Sequence, residues 1–120
     1  MNQTDYFYTT AIILWQNQDY KNAVSRMYYA VLHCMCDNLE TILKHRVKPR
    51  HKDVRNLFLR HFSGFSEEYL INMQILREQV DYERRVEMQN FNEKDLFPMF
   101  RDMRKFVEQQ NPSLKPTHQN

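Results

Sequence analysis

Apolar residues return along this chain at intervals of three and four, and seldom at intervals of two. That is the period of a helix with one buried face. Residues 4 to 17 carry Phe7, Ala11 and Leu14 on one face, joined by Tyr6 and Ile13. Asp19 is suited to cap a second helix that runs to about Lys44. Within it Ala23, Met27, Ala30, Val31, Cys34, Leu39, Ile42 and Leu43 keep helical register. Around its middle apolar residues cover nearly the whole circumference, which predicts a helix enclosed by neighbours.

Pro49 disfavours helix at Lys48 and separates a short third helix bearing Val54, Leu57, Phe58 and Phe62, expected to stop near Gly64. Ser66 followed by Glu67 and Glu68 predicts the start of a fourth, a capping hydroxyl with carboxylates at the positive end of the helix dipole. Its stripe is Tyr69, Met73, Leu76 and Val80. Asn92 is the expected cap of a fifth, with Leu96, Phe100, Met103 and Val107 facing inward and Pro98 at or just after the first turn.

The fold class that follows is all-α: an antiparallel bundle of about five helices with a long central second helix. Residues 1–110 are expected to form a single domain and residues 111–120 a frayed tail. With 120 residues, 42% of them hydrophobic, the chain can bury one modest core. A single glycine, Gly64, and four prolines leave little room for the turns of an all-β protein. No apolar run approaches the roughly 20 residues of a membrane span. The first Lys or Arg is Lys21, which argues against the basic start of an export or mitochondrial leader, so a cytoplasmic, soluble protein is expected. Cys34 and Cys36, two apart, would point to different sides of a helix and suit neither a mutual disulfide nor a shared metal. No phosphate-cradling glycine loop and no grouped metal ligands are present, so neither a cofactor nor a metal is expected.

Charge changes the picture. The net charge is only +2, yet Lys44, Arg46, Lys48, Arg50, Lys52, Arg55 and Arg60 stand between residues 44 and 61 against one acid, Asp53, leaving −4 for the rest of the chain. The first six are candidate nucleic-acid contacts. Phe58, Phe62 and Tyr69 nearby would stack on bases if exposed, although their spacing equally suits a core.

Two further stretches carry candidate chemistry. In "SRMYYAVLHCM" Arg26 and His33 are seven apart. Seven residues turn a helix by about 700°, so both project from one side, about 10 Å apart along the axis, with Tyr29 and Ala30 between them. They are either structural polar groups or an imidazole acid/base with a guanidinium phosphate clamp. In "LREQVDYERR" Arg77 and Asp81 are one turn apart, and Arg26, Arg77 and Asp81 are expected in one buried cluster with Tyr29 and Tyr82.

Taken together, "DYKNAVSRMYYAVLHCMCDNL", the His51 that leads "HKDVRNLF", and "LREQVDY" resemble the HEPN superfamily, in particular its small stand-alone bacterial and archaeal members, over roughly residues 5 to 108. The resemblance implies a helical bundle, commonly a homodimer, working near RNA. Many members are metal-independent ribonucleases, often toxins or phage-defence effectors, and many stand beside a minimal nucleotidyltransferase partner. In the ribonucleases an Arg and a His a short way apart meet their dimer mates around the scissile phosphate. That implies His33, Arg26 and Arg77 as catalytic candidates. The family's active pair usually lies on a later helix, near Arg77, where Asp81 and Tyr82 follow without a His. The alternative implied role is a non-catalytic dimer or interaction module.

Overall fold

Five helices follow one another: α1 (Gln3–Gln16), α2 (Tyr20–Leu43), α3 (His51–His61), α4 (Glu67–Val86) and α5 (Glu93–Gln110). The computed structural model describes residues 2–86 and 93–111, and the backbone alone for 82–86 and 93–95. Among the described residues there is no strand. The protein is an all-α bundle, and α2 packs against each of the other four helices. Its burial follows from the all-round apolar pattern: Ala23, Val24, Met27, Ala30, Val31 and Leu39 are fully buried.

Contacts between named side chains give the directions. The start of α1 meets the far half of α2, with the Thr4 hydroxyl donating to Asp37 Oδ2 at 2.7 Å, and its end returns to the start of α2, where Trp15 meets Tyr20. Those two helices are therefore antiparallel. α5 runs with α2: Phe97 lies 5.2 Å from Tyr20, and Asn38 Nδ2 donates to the Gln110 carbonyl. α4 opposes α5, since Phe65 packs on Phe106 and the Tyr69 phenol bonds to Asp102. α3 opposes α4, with Phe58 on Phe65 and Arg55 on Gln74.

The local signals were followed unevenly. Ser66 Oγ accepts from the Tyr69 N–H at 3.2 Å, as a capping hydroxyl should. Asp19 occupies the N-cap of α2, but its carboxylate accepts from Asn22 Nδ2 at 3.0 and 2.8 Å instead of from a backbone N–H. α3 stops at His61, because Phe62 leaves the helix in an extended conformation and closes onto Phe58 at 4.5 Å. Gly64 (φ 89°) then serves the connection rather than the helix end. Lys44 takes the left-handed cap at the end of α2, at φ 64°.

The inward faces are largely as expected, with two displacements. Met73, Val80, Leu96, Met103 and Val107 are fully buried, but Leu70 takes the core position beside a half-buried Tyr69. On α1 Ala11 is buried while Tyr6 and Ile13 are 54% and 52% exposed, and the small, hydrogen-bonded Thr4 is buried instead. Pro98 is the sixth residue of α5, just after the first turn as expected, and stands on the exposed side. Asn92, the side chain of Tyr82 and residues 112–120 lie outside the described residues.

Candidate functional site

Arg77, Tyr28, Tyr29 and His51 come together from three helices. The Arg77 guanidinium carbon lies 5.5 Å from the Tyr28 ring centroid and 5.6 Å from that of Tyr29, so two adjacent aromatic faces take its charge. Its Nη1 donates to Asp81 Oδ2 at 3.3 Å, the one-turn pairing that their spacing prescribes, and Nη2 stands 3.7 Å from Glu78 Oε2. The Arg77 and Asp81 side chains are 13% and 23% exposed, so the pair is mostly withdrawn from water. Arg77 Nε is buried with no hydrogen-bond acceptor among the described residues.

His51 opens α3 and lies over Tyr28, the rings 5.5 Å apart and 23° from parallel, with its Nδ1 2.9 Å from the Tyr28 hydroxyl. Burial pushes the Tyr28 phenol up to about 12, so it keeps its proton. Burial lowers His51, and the Arg77 and Arg55 guanidiniums lower it further, against an opposing pull from Glu78. A neutral imidazole beside a protonated phenol assigns the bond: Tyr28 donates, Nδ1 accepts, and Nε2 carries the ring proton. Arg55 Nη1 donates to Gln74 Oε1 at 2.7 Å, and Gln74 Nε2 donates to Glu78 Oε2 at 3.1 Å. This ladder ties α3 to α4 and, through Glu78, to Arg77.

Arg26 reaches the same place from the other side. Its guanidinium carbon lies 5.5 Å from the Tyr29 centroid, so Tyr29 takes both arginines. The expected contact between Arg26 and Asp81 is not made among the described residues. Arg77 holds that carboxylate from one turn away on the same helix, where little ordering is needed to pair them.

His33 stands apart from this group. Its ring stacks on Phe7 at 5.4 Å and 24°, and Phe7 also packs on Tyr29 at 5.5 Å. A side chain of α1 thus touches both Tyr29 and His33, and among the described residues no contact joins Arg26 to His33 directly. Burial lowers the imidazole of His33, partly offset by Asp37 and Glu40.

The six basic candidates sit on the connection between α2 and α3 and on α3 itself. Lys44, Arg46, Lys48, Arg50 and Lys52 are exposed, while Arg55 is half-buried and engaged with Gln74. The aromatic candidates are not at this surface. Phe58 is fully buried, Phe62 is half-buried against it, and Tyr69 is half-buried with its phenol pushed up to about 12 by burial and its bond to Asp102. A cavity of about 280 Å³ between Phe65, Tyr69, Asp102 and Phe106 lies away from the arginine cluster. Cys34 and Cys36 are free, buried thiols, each pushed up to about 12 chiefly by burial. Among the described residues no three His, Cys, Asp or Glu side chains are grouped to hold a metal ion, and no helix is long and apolar enough to cross a membrane.

Set against protein-family models, curated proteins and solved structures, the chain has no match. Sequence reasoning passed over His51 and Tyr28 as partners. The signal for His51 was its place as the first helical residue after Pro49; nothing in its spacing pointed to Tyr28, 23 residues earlier.

Proposed function

We propose that this chain is a HEPN-like helical module that binds RNA or a nucleotide. One observation carries the reading. The three sequence elements of the resemblance, Tyr28–Tyr29, His51 and Arg77–Asp81, come from separate helices and meet in one cluster, beside a run of exposed cations. Elements scattered over 54 residues are gathered where α2, α3 and α4 meet, the arrangement that a common site requires. Dimerisation belongs to the same reading, with Phe97, 45% exposed, carrying the aromatic cluster of Trp15, Tyr20 and Phe100 out to the surface. A minimal nucleotidyltransferase is the protein partner that the resemblance suggests.

Binding is favoured over cleavage by the state of the catalytic candidates. Arg77 is withdrawn and charge-paired, and among the described residues Arg26 and His33 are not in direct contact. A ribonuclease reading is kept by one feature: a half-buried, largely neutral His33 is competent as a base at neutral pH, and a second subunit would have to bring it a guanidinium.

One sample distinguishes these. End-labelled single-stranded RNA is incubated with the protein in EDTA, and retention and cleavage are followed together. The binding reading expects a complex with intact RNA. The ribonuclease reading expects cleavage leaving a cyclic phosphate, slowed on the order of 10²–10⁴-fold in His33→Ala. RNA neither retained nor cut contradicts both.

A further inference from the structure

Seven residues, 44–50, join the end of α2 to His51, whose ring rests on Tyr28. Leu43 stands 15 residues beyond Tyr28 on α2, roughly 22 Å along the axis at ~1.5 Å per residue. Eight Cα steps reach about 26–29 Å at full stretch. The Tyr28 and His51 side chains span part of that gap and the connector runs back down the side of α2 over the rest, extended in its middle between a bend at Lys44 and a tight turn at Pro49, where the Arg50 N–H donates to the Lys48 carbonyl at 2.8 Å.

Val47 anchors it. Its N–H donates to Glu40 Oε2 at 2.8 Å, and its side chain packs against the core. In a drawn-out chain neighbouring side chains face opposite ways. With Val47 turned inward, Arg46 and Lys48 turn outward, and both are exposed. The sequence repeats this spacing: a cation stands at every second position, Lys44, Arg46, Lys48, Arg50 and Lys52, all five exposed. Of residues 44–50 only Val47 is not exposed, so a single anchored side chain holds a run of outward cations in place. The rings that would stack on bases are turned inward, with Phe58 fully buried and Phe62 closed against it.

We infer that the strip from Lys44 to Lys52 docks nucleic acid by its phosphodiester backbone alone, so that double-stranded RNA is accepted at least as well as single-stranded RNA and base sequence is not read. This rests on the RNA-binding reading and specifies its ligand. Charge without stacking favours the partner with more phosphates per unit length, and a duplex carries about one charge per 1.7 Å. RNA and DNA offer the same backbone charge, so the strip does not distinguish them.

The test is fluorescence anisotropy with a labelled duplex of mixed sequence, as RNA and as DNA, and with its single strand, across a salt series. Five phosphate contacts give a slope of about −4.5 in log K against log salt, so duplex affinity should fall roughly 500-fold between 50 and 200 mM salt. In the variant carrying Lys48→Ala, Arg50→Ala and Lys52→Ala the slope should shrink by about three, with the helical circular dichroism unchanged. A single strand bound tighter than the duplex, or a variant with the native slope, overturns this inference and leaves the RNA-binding reading standing. Poly-glutamate bound as tightly as the duplex overturns it in favour of an acidic protein partner. No nucleic acid bound at 50 mM salt overturns the inference and the RNA-binding reading together.

Discussion

His33 and His51 make an instructive pair. Each is half-buried, each stacks on an aromatic ring, and each is held below the ordinary imidazole value chiefly by burial. Their neighbours have opposite sign. His33 looks onto Asp37 and Glu40, which pull its pKa back up. His51 looks onto Arg77 and Arg55, which press it down, with Glu78 opposing. A phosphate approaching His33 meets two carboxylates, whereas one approaching His51 meets guanidiniums and the exposed cations of Arg50 and Lys52. The setting of an imidazole, more than its distance along a helix from an arginine, decides which of the two suits an anion.

The comparison breaks most visibly at the arginines. Arg77 is mostly buried, touches two rings and bonds to Asp81, so Arg77→Ala removes two cation–π contacts and a largely buried charged hydrogen bond together and should destabilise the protein by about 2–3 kcal/mol. Arg26 gives Tyr29 one cation–π contact, and Arg26→Ala should cost about 0.5–1 kcal/mol. Urea denaturation of the two variants checks this. Equal losses would mean that Arg26 carries a structural charge pair after all.

A smaller effect lies in pH. Both imidazoles have folded pKa values below the unfolded 6.5, so just below pH 6.5 the unfolded chain binds more protons than the folded one. Stability therefore rises with pH through that window and is lost as pH falls through it. Salt separates the two residues. In His33→Gln, where His51 remains, added salt screens Arg77 and Arg55, lets the His51 pKa rise and should flatten the slope. In His51→Gln, where His33 remains, salt screens Asp37 and Glu40 and should steepen it. Stability measured against pH at low and high salt reads both, and slopes moving in the same direction would remove the electrostatic contrast.

How much of this was legible depended on whether the cause was local. The helices were, because their period, the Ser66 hydroxyl and Pro49 act within a turn or two of themselves. The Arg77–Asp81 pair was too, since a one-turn spacing on one helix brings the two side chains together. What failed depended on distant chain. One exception is local: Asp19 holds the N-cap position, but its carboxylate turned to Asn22, one turn away. Phe62 turned out of α3 because Phe58 and the tertiary core gave its ring a face. Arg26 and His33 share a side of α2, yet Phe7 arrives from α1 to stack on His33. His51 meets Tyr28 only because the connector runs back along α2, and its side-chain alternation shows a direction only once Val47 is seen to be anchored.

The central claim is that RNA meets this protein on the side of α2 that faces α3, where His51 stands, and leaves the His33 side untouched. Imidazole resonances followed by NMR during titration with single-stranded RNA test it directly, because the two rings report on the two sides within one sample. The account predicts that the His51 signals shift from the first additions of RNA while those of His33 stay in place. Shifts at His33 with His51 unmoved would contradict it and would put the RNA beside Arg26 and His33.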